Sequence, residues 1–112
     1  MPKGDYLGEF EQLVLLALLR LKDRAYGVTV RREIQGRTDR NVAIGAVYAS
    51  LERLERKGYV LATVSQPEPV PGGRAKKYFR ITRTGADALK HAREMMRRMT
   101  DGLAVDAELD AI

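Results

Sequence analysis

The sequence predicts a mainly α-helical domain that contains one small β-hairpin. Apolar residues recur at three- and four-residue spacing in four stretches, which is typical of helices that pack on a core. Two short runs rich in Val, Thr, Tyr, Phe and Ile enclose a segment of prolines and glycines, which is typical of two strands and their turn. A chain of 112 residues is one ordinary domain. The predicted order is therefore helix, helix, helix, hairpin, helix.

The composition excludes several classes of protein. Hydrophobic residues make up 45% and charged residues 31% of the chain, which is typical of a soluble globular domain. The absence of cysteine excludes a disulfide scaffold and a thiolate metal site, and we expect neither a metal nor a cofactor. The apolar run Leu13–Leu19 is too short to span a bilayer and lacks the flanks of a secretory signal. We expect a cytoplasmic protein without membrane contact.

The net charge of +5 favours a polyanionic partner, which could be DNA, RNA or an acidic membrane surface. A merely soluble basic surface explains the same charge equally well. The charge alone does not decide between these interpretations.

The first predicted helix is apolar on nearly all sides. Its main stripe contains Phe10, Leu13, Val14, Ala17, Leu18 and Leu21. Leu15, Leu16 and Leu19 fall outside this stripe. A helix with two apolar sides is buried on both, and in a one-domain protein the second side is expected to meet another subunit.

Two further helices follow. The second is predicted from about Tyr26 to Gln35, with Gly36 as its end, and the polar stretch Arg37–Asn41 is turn-like. Asn41 is a suitable cap for the third helix, which is predicted from about Ala43 to Lys57. The core stripe of this third helix is Val47, Leu51 and Leu54. Its opposite face starts with small residues and ends with cations: Gly45, Ala46, Ala49, Arg53 and Arg56.

The hairpin and the last helix complete the chain. Strands are predicted over Tyr59–Ser65 and Lys76–Thr82, with a tip at Gln66–Ala75 that holds three of the four prolines. Phe79 and Ile81 should point inward. The last helix is capped by Thr82 or Thr84. Its apolar residues follow the spacing of a short coiled coil: Leu89, Ala92, Met96, Met99 and Leu103.

This order of elements is that of a winged helix-turn-helix. We expect residues 1–82 to form a DNA-binding region, residues 83–104 a dimerisation helix, and residues 105–112 a disordered acidic tail within one structural domain. In this architecture the third helix enters the major groove of DNA, and small residues at its start allow a close approach. The predicted dimer contacts are Leu15, Leu16, Leu19, Leu89, Ala92, Met96, Met99 and Leu103.

The predicted DNA contacts lie at the third helix and at the hairpin, or wing. Cations beside two glycines in the wing would neutralise phosphates or enter the minor groove. An ordinary solvated turn is the alternative for the wing, and packing under a neighbouring helix is the alternative for Gly45 and Ala46. The predicted set is Arg40, Asn41, Ala43, Gly45, Ala46, Tyr48, Ala49, Arg53, Gly72, Gly73, Arg74, Lys76 and Lys77.

From Phe10 to about Leu89 the chain resembles the PadR family of transcriptional regulators, in its short form with one C-terminal helix. The matching residues are Leu13–Leu21, Tyr26-Gly27, Gly45-Ala46-Val47-Tyr48, Leu51, Leu54, Gly58-Tyr59-Val60, Gly72-Gly73-Arg74, Lys77-Tyr78-Phe79, Ile81-Thr82 and Gly85. The resemblance implies a dimeric repressor whose first and last helices form the dimer. It also implies that Tyr48 and the wing cations face DNA. Ala43-Ile44 departs from the serine and proline that often precede the helix glycine in this family, which leaves fewer hydrogen-bond donors there.

Other interpretations stay open at three positions. Tyr48 lies on a flank of the third helix, where it could donate to a phosphate or wedge between helices. Met95, Met96 and Met99 are compatible with an adaptable site for a small-molecule effector or with a plain dimer core. His91 is the only histidine, and no acid–base or nucleophilic set accompanies it, so we expect no enzyme. The alternative function is a winged helix that contacts protein or RNA.

Overall fold

The computed structural model describes residues 6–67 and 75–112, and it has the predicted order of elements. A short 3-10 turn at Lys22–Arg24 follows the first helix. The elements are α1 (Glu9–Leu21), α2 (Gly27–Thr38), α3 (Ile44–Arg56), β1 (Val60–Val64), β2 (Lys77–Ile81), α4 (Arg83–Thr100) and α5 (Val105–Asp110). The mainly helical class with one hairpin is therefore confirmed. None of the helices in this described part of the chain is long and apolar enough to cross a bilayer.

The core lies between α1, α2, α3 and the inner face of the hairpin. Its fully buried side chains include Val14, Val30, Leu51 and Val60. The strands β1 and β2 are antiparallel, with Val60 opposite Ile81 and Ala62 opposite Phe79. Phe79 is buried, as the alternation of the strand predicts, and its N–H donates to the carbonyl of Ala25 at 2.9 Å. This bond fixes the hairpin beside the start of α2.

The start of α4 is held tightly against the loop before β1. Thr82 is the N-cap of α4: its hydroxyl oxygen accepts from the N–H of Gly85 at 3.0 Å, and the hydroxyl donates to the carbonyl of Gly58 at 2.7 Å. Gly85 lies so close to this loop that a Cβ would be 2.1 Å from the carbonyl oxygen of Tyr59. Only glycine allows this approach, so the direction in which α4 leaves the domain is fixed.

The boundaries of α2 and α3 differ from the prediction. Gly36 lies inside α2, which continues to Thr38, and Asp39 ends the helix in the left-handed conformation. A glycine inside a helix costs only about 1 kcal/mol, and aspartate is one of the few residues that tolerate this end conformation. The α3 helix is preceded by Ala43 as its N-cap instead of Asn41.

The C-terminal residues require two corrections. The α4 helix ends at Thr100, and Gly102 follows with a φ of 79°, so Leu103 is outside the helix that was predicted to reach residue 104. The stretch predicted as a disordered tail forms the short helix α5. Asp106 and Glu108 lie in the first turn of α5, where carboxylates stabilise the positive end of a helix.

Candidate nucleic-acid interface

The α3 helix presents its small residues to solvent. Gly45, Ala46 and Ala49 are exposed, while Val47 and Leu51 on the opposite side are fully buried. Within the described residues, a Cβ built on Gly45 would meet nothing within 4 Å. The glycine is therefore not needed for packing under another helix of this chain, and the first two turns of α3 form a smooth exposed surface.

Tyr48 joins this surface to the start of α2. Its side chain is 44% exposed and lies across Gly27, where a Cβ would be 2.4 Å from Cζ of the ring. The contact agrees with the predicted wedge between helices. Within the described residues the Tyr48 hydroxyl has no hydrogen-bond partner, and it lies at the amino end of α2 beside the exposed face of α3. This position leaves the hydroxyl available to a phosphate as well.

The segment before α3 is tied to α1. Arg40 forms an ion pair with Glu9, and its guanidinium lies 5.6 Å from the centre of the Phe10 ring. Asn41 and Ala43 are exposed. Arg40, a predicted DNA contact like Asn41 and Ala43, is therefore directed toward the first turn of α1.

A buried carboxylate directs Arg53 away from the free side of α3. Glu11 on α1 is only 7% exposed and lies 3.2 Å from Nζ of Lys57 and 3.8 Å from Nε of Arg53. Arg53 also donates to the hydroxyl of Ser50 at 3.0 Å. Spacing within one helix cannot reveal this pairing, because its acidic partner is 42 positions away (53 − 11) and meets Arg53 only in the folded chain.

In the described part of the wing, the predicted DNA contacts also have partners within the chain. Nζ of Lys77 is 3.2 Å from a carboxylate oxygen of Glu55 on α3. Nζ of Lys76 lies 4.9 Å from the centre of the Tyr26 ring. Lys77 thus contacts α3, and Lys76 contacts the residue that precedes α2. The other predicted wing contacts, Gly72, Gly73 and Arg74, lie outside the described residues.

A different set of cations is free of carboxylates. In residues 6–67 and 75–112 seven exposed cations have no ion pair, and none of them belongs to the predicted set of DNA contacts. Pairing depends on the tertiary fold, so no sequence signal separates them from the paired cations. They are Lys22, Arg24, Arg32, Arg56, Arg80, Lys90 and Arg93.

Arginine–glutamate pairs lower the pKa of two exposed carboxyls. The hydrogen bond from Arg37 holds the pKa of Glu33 below its usual value. The hydrogen bond from Arg97 lowers the pKa of Glu94 to about 2. Such exposed pairs add little stability, because water and salt screen them.

The predicted dimer residues divide into two groups. Leu15, Leu89 and Ala92 are buried inside the single chain, so their exposure gives no support to the prediction that they contact a second subunit. The physical reason is that α1 packs against α2, α3, β2 and α4 of the same chain. The predicted contacts that remain partly or largely exposed are Leu16, Leu19, Met96, Met99 and Leu103.

The model of the transcriptional regulator PadR-like family matches residues 15–91 of the chain, which is more than half of it. This match contains α2, α3, both strands and about half of each of the flanking helices α1 and α4. Among curated proteins none matches the chain significantly.

Solved structures share the fold. A PadR family transcription regulator from hypervirulent Clostridium difficile is similar with a TM-score of 0.70 and 27% identity, over 83% of this chain and 92% of that one. A PadR-like transcriptional regulator from Bacillus cereus has a TM-score of 0.69 at 19% identity, over 89% of this chain and 90% of that one. A winged-helix DNA-binding protein from STIV has a TM-score of 0.64 at 19% identity, over 88% and 99%. The fold is thus a winged helix.

Proposed function

The chain belongs to the PadR-like family of transcriptional regulators, and we propose that it is a homodimeric repressor that binds double-stranded DNA. The observation that carries this proposal is the exposed small-residue face of α3. Gly45, Ala46 and Ala49 face solvent on a helix whose other side is fully buried. A rigid helix with a smooth face can enter the major groove, which is about 12 Å wide.

The groove contact would be supported by exposed residues before and within α3. Asn41 and Ala43 are exposed just before the helix, Tyr48 is exposed in its second turn, and Arg56 is exposed at its end. Phosphate contacts fix the orientation of a protein on the duplex but carry no sequence information. The free cations Arg24, Arg32 and Arg80 are further candidates for such contacts.

The wing is proposed to follow the DNA backbone. Gly72, Gly73 and Arg74 are included in this proposal on the sequence alone, and Lys76 and Lys77 on their exposed or half-exposed side chains. Lys77 would exchange its contact with Glu55 for a phosphate. Because an exposed ion pair is worth about 0–1 kcal/mol, this exchange costs little.

The dimer is proposed to form through exposed apolar residues of α1 and the second half of α4. Met96 and Met99 are 65% and 76% exposed in the single chain. Large apolar side chains grouped on one helix mark a surface that another chain covers. The same methionines could accept a small-molecule effector. We place the protein in the cytoplasm, with no enzymatic activity.

Two subunits related by a two-fold axis present two copies of α3, so the operator should be an inverted repeat. The half-site centres should lie roughly 34–36 Å apart, or a multiple of that distance. The small residues of α3 offer contacts to thymine methyl groups, and DNA shape would supply further specificity.

Footprinting on the promoter of the protein's own gene and its neighbours tests this function. We expect a protected inverted repeat, and a titration in increasing salt should show affinity falling linearly on logarithmic axes. Matched single-stranded RNA and a scrambled duplex serve as controls. Equal binding to the scrambled duplex, or a preference for the RNA, would contradict sequence-specific regulation and would favour an RNA or protein-contact module.

A further inference from the structure

We propose that Glu52 on α3 reads one base of each half-site by accepting a hydrogen bond from the exocyclic amino group of a cytosine. This inference rests on the proposed binding of α3 in the major groove. Glu52 would then determine sequence specificity, although it does not belong to the DNA contacts predicted from the sequence.

The hydrogen bonds and ion pairs of α3 single out this side chain. Glu55 is paired with Lys77, and Arg53 is paired with Glu11 and Ser50. Within the described residues Glu52 has neither an ion pair nor a side-chain hydrogen bond, and it is exposed. Glu52 is therefore a carboxylate of α3 that the fold itself does not use.

Glu52 lies on the same face as the small residues. At 100° per residue it is within about 60° of Ala49, and at 1.5 Å per residue it is about 4.5 Å further along the axis. Gly45, Ala49, Glu52 and Arg56 thus form one exposed ridge. Because the ridge starts without bulky side chains, the helix can approach the floor of the groove, and a glutamate one turn later can reach a base edge.

A carboxylate on this ridge needs a specific partner. DNA carries one negative charge per about 1.7 Å of its axis, so an unpaired glutamate in the groove weakens binding to every sequence. In the major groove, a glutamate or aspartate can accept a hydrogen bond from N4 of cytosine, and this bond offsets the repulsion between the carboxylate and the phosphates. Arg56, four residues later and also unpaired, is positioned to hold the neighbouring phosphate.

The experiment is selection of binding sites from a random duplex library by the full chain, followed by affinity measurements on the selected site. The wild type should select a cytosine at one symmetric position of each half-site. In Glu52→Ala, the ratio of affinities for cytosine over the other bases at this position should fall by roughly fivefold to 100-fold. The base preferences at the other positions of the site should stay unchanged. Glu52→Gln should move the preference toward adenine, because an amide side chain pairs with adenine in the major groove.

Glu55→Gln is the matched control, because it removes the same charge from the same helix at a carboxylate that is already paired with Lys77. It should change affinity without changing the selected base. If both Glu52 variants select the wild-type site, or bind all sequences more tightly by one common factor, Glu52 faces phosphate or solvent and the inference is wrong while the proposed function stands. If the wild type selects no duplex at all, the proposed function fails, and this inference fails with it.

Discussion

The two helices α3 and α4 each leave one face exposed, but they differ in how much of their length is buried and in which side chains they expose. The buried residues of α3 run from Val47 to Leu54, which is most of the length of this helix. The α4 helix is buried only in its first half, where its last buried residue is Ala92, and the eight residues that follow are exposed or half-exposed. The free face of α3 is small and polar, whereas the free end of α4 carries Met96 and Met99.

The difference shows which partner each face fits. Protein–DNA interfaces are polar and wet, and a fixed helix with small residues can dock there without a loss of conformational entropy. Exposed methionines gain stability only when they are removed from water, so the free end of α4 fits a second chain. Under the proposed function, the exposed face of α3 would serve the nucleic acid, and the second half of α4, which presents Met96 and Met99 among charged residues, would serve assembly.

The largest expected effect concerns the apolar extension. Met96→Glu should weaken the proposed dimer by roughly 2 kcal/mol or more, because a polar side chain would lose its water in the interface, and Arg93 and Arg97 on the same surface limit the cost of its charge. Sedimentation velocity as a function of concentration measures the change. Thr84→Glu, an exposed position at the anchored end of α4, adds the same side chain and should leave the dimer intact. A wild type that stays monomeric at micromolar concentration would contradict the assignment.

The second prediction concerns the anchor of α4. Gly85→Ala should destabilise the fold by about 1–3 kcal/mol, because the added methyl group would overlap the backbone of Tyr59, which cannot move aside cheaply. Urea unfolding measures this. Gly36→Ala is the matched control: in the part of the chain that the structure describes, a Cβ there meets nothing within 4 Å, and the substitution should stabilise α2 by up to about 1 kcal/mol. Equal stability of the two variants would show that the α4 anchor is loose.

The third prediction separates DNA docking from folding at α3. Ala46→Phe should lower affinity for the operator by at least about tenfold, or about 1.4 kcal/mol, because the ring would hold the helix away from the groove. The melting temperature should stay unchanged, since Ala46 is exposed. The same substitution at Ala107, which is exposed on α5, controls for added hydrophobicity. Full affinity in folded Ala46→Phe would show that α3 does not enter the groove.

The smallest effect is expected at the wing. Replacing Lys76 and Lys77 by alanine should weaken binding to all duplex sequences about equally. The slope of log affinity against log salt should flatten by roughly 0.9 for each lost phosphate contact. Lys90→Ala, on the exposed side of α4, should leave the slope unchanged. An unchanged slope in the double variant would mean that both lysines serve only their contacts with Glu55 and Tyr26.

The periodic parts of the sequence predicted the fold well. The stripe of Val47, Leu51 and Leu54 is the buried side of α3, and Phe79 is buried as the strand alternation predicts. Thr82, one of two predicted caps, begins α4. These features depend on neighbours within a few residues, so they are visible in one segment at a time.

The sequence could not separate the two apolar sides of α1. Leu15 and Leu16 are identical in type and adjacent, yet Leu15 is fully buried in its own chain and Leu16 is half-exposed. Which side is covered depends on how α2, α3, β2 and α4 are arranged around α1. The same holds for Tyr48, whose contact with Gly27 joins two helices that are separate in the sequence.

By itself the sequence determined the order of the main elements, the buried stripe of α3 and the small-residue face opposite that stripe, because hydrophobic periodicity and turn residues act locally. Only the tertiary structure decided which cations remain free. Arg40, Arg53 and Lys77 are indistinguishable in sequence from Arg24, Arg32 and Arg80, but folding brings Glu9, Glu11 and Glu55 beside the first three. Because electrostatic pairing acts through a few ångströms of space rather than along the chain, charge placement becomes visible only once the helices are packed.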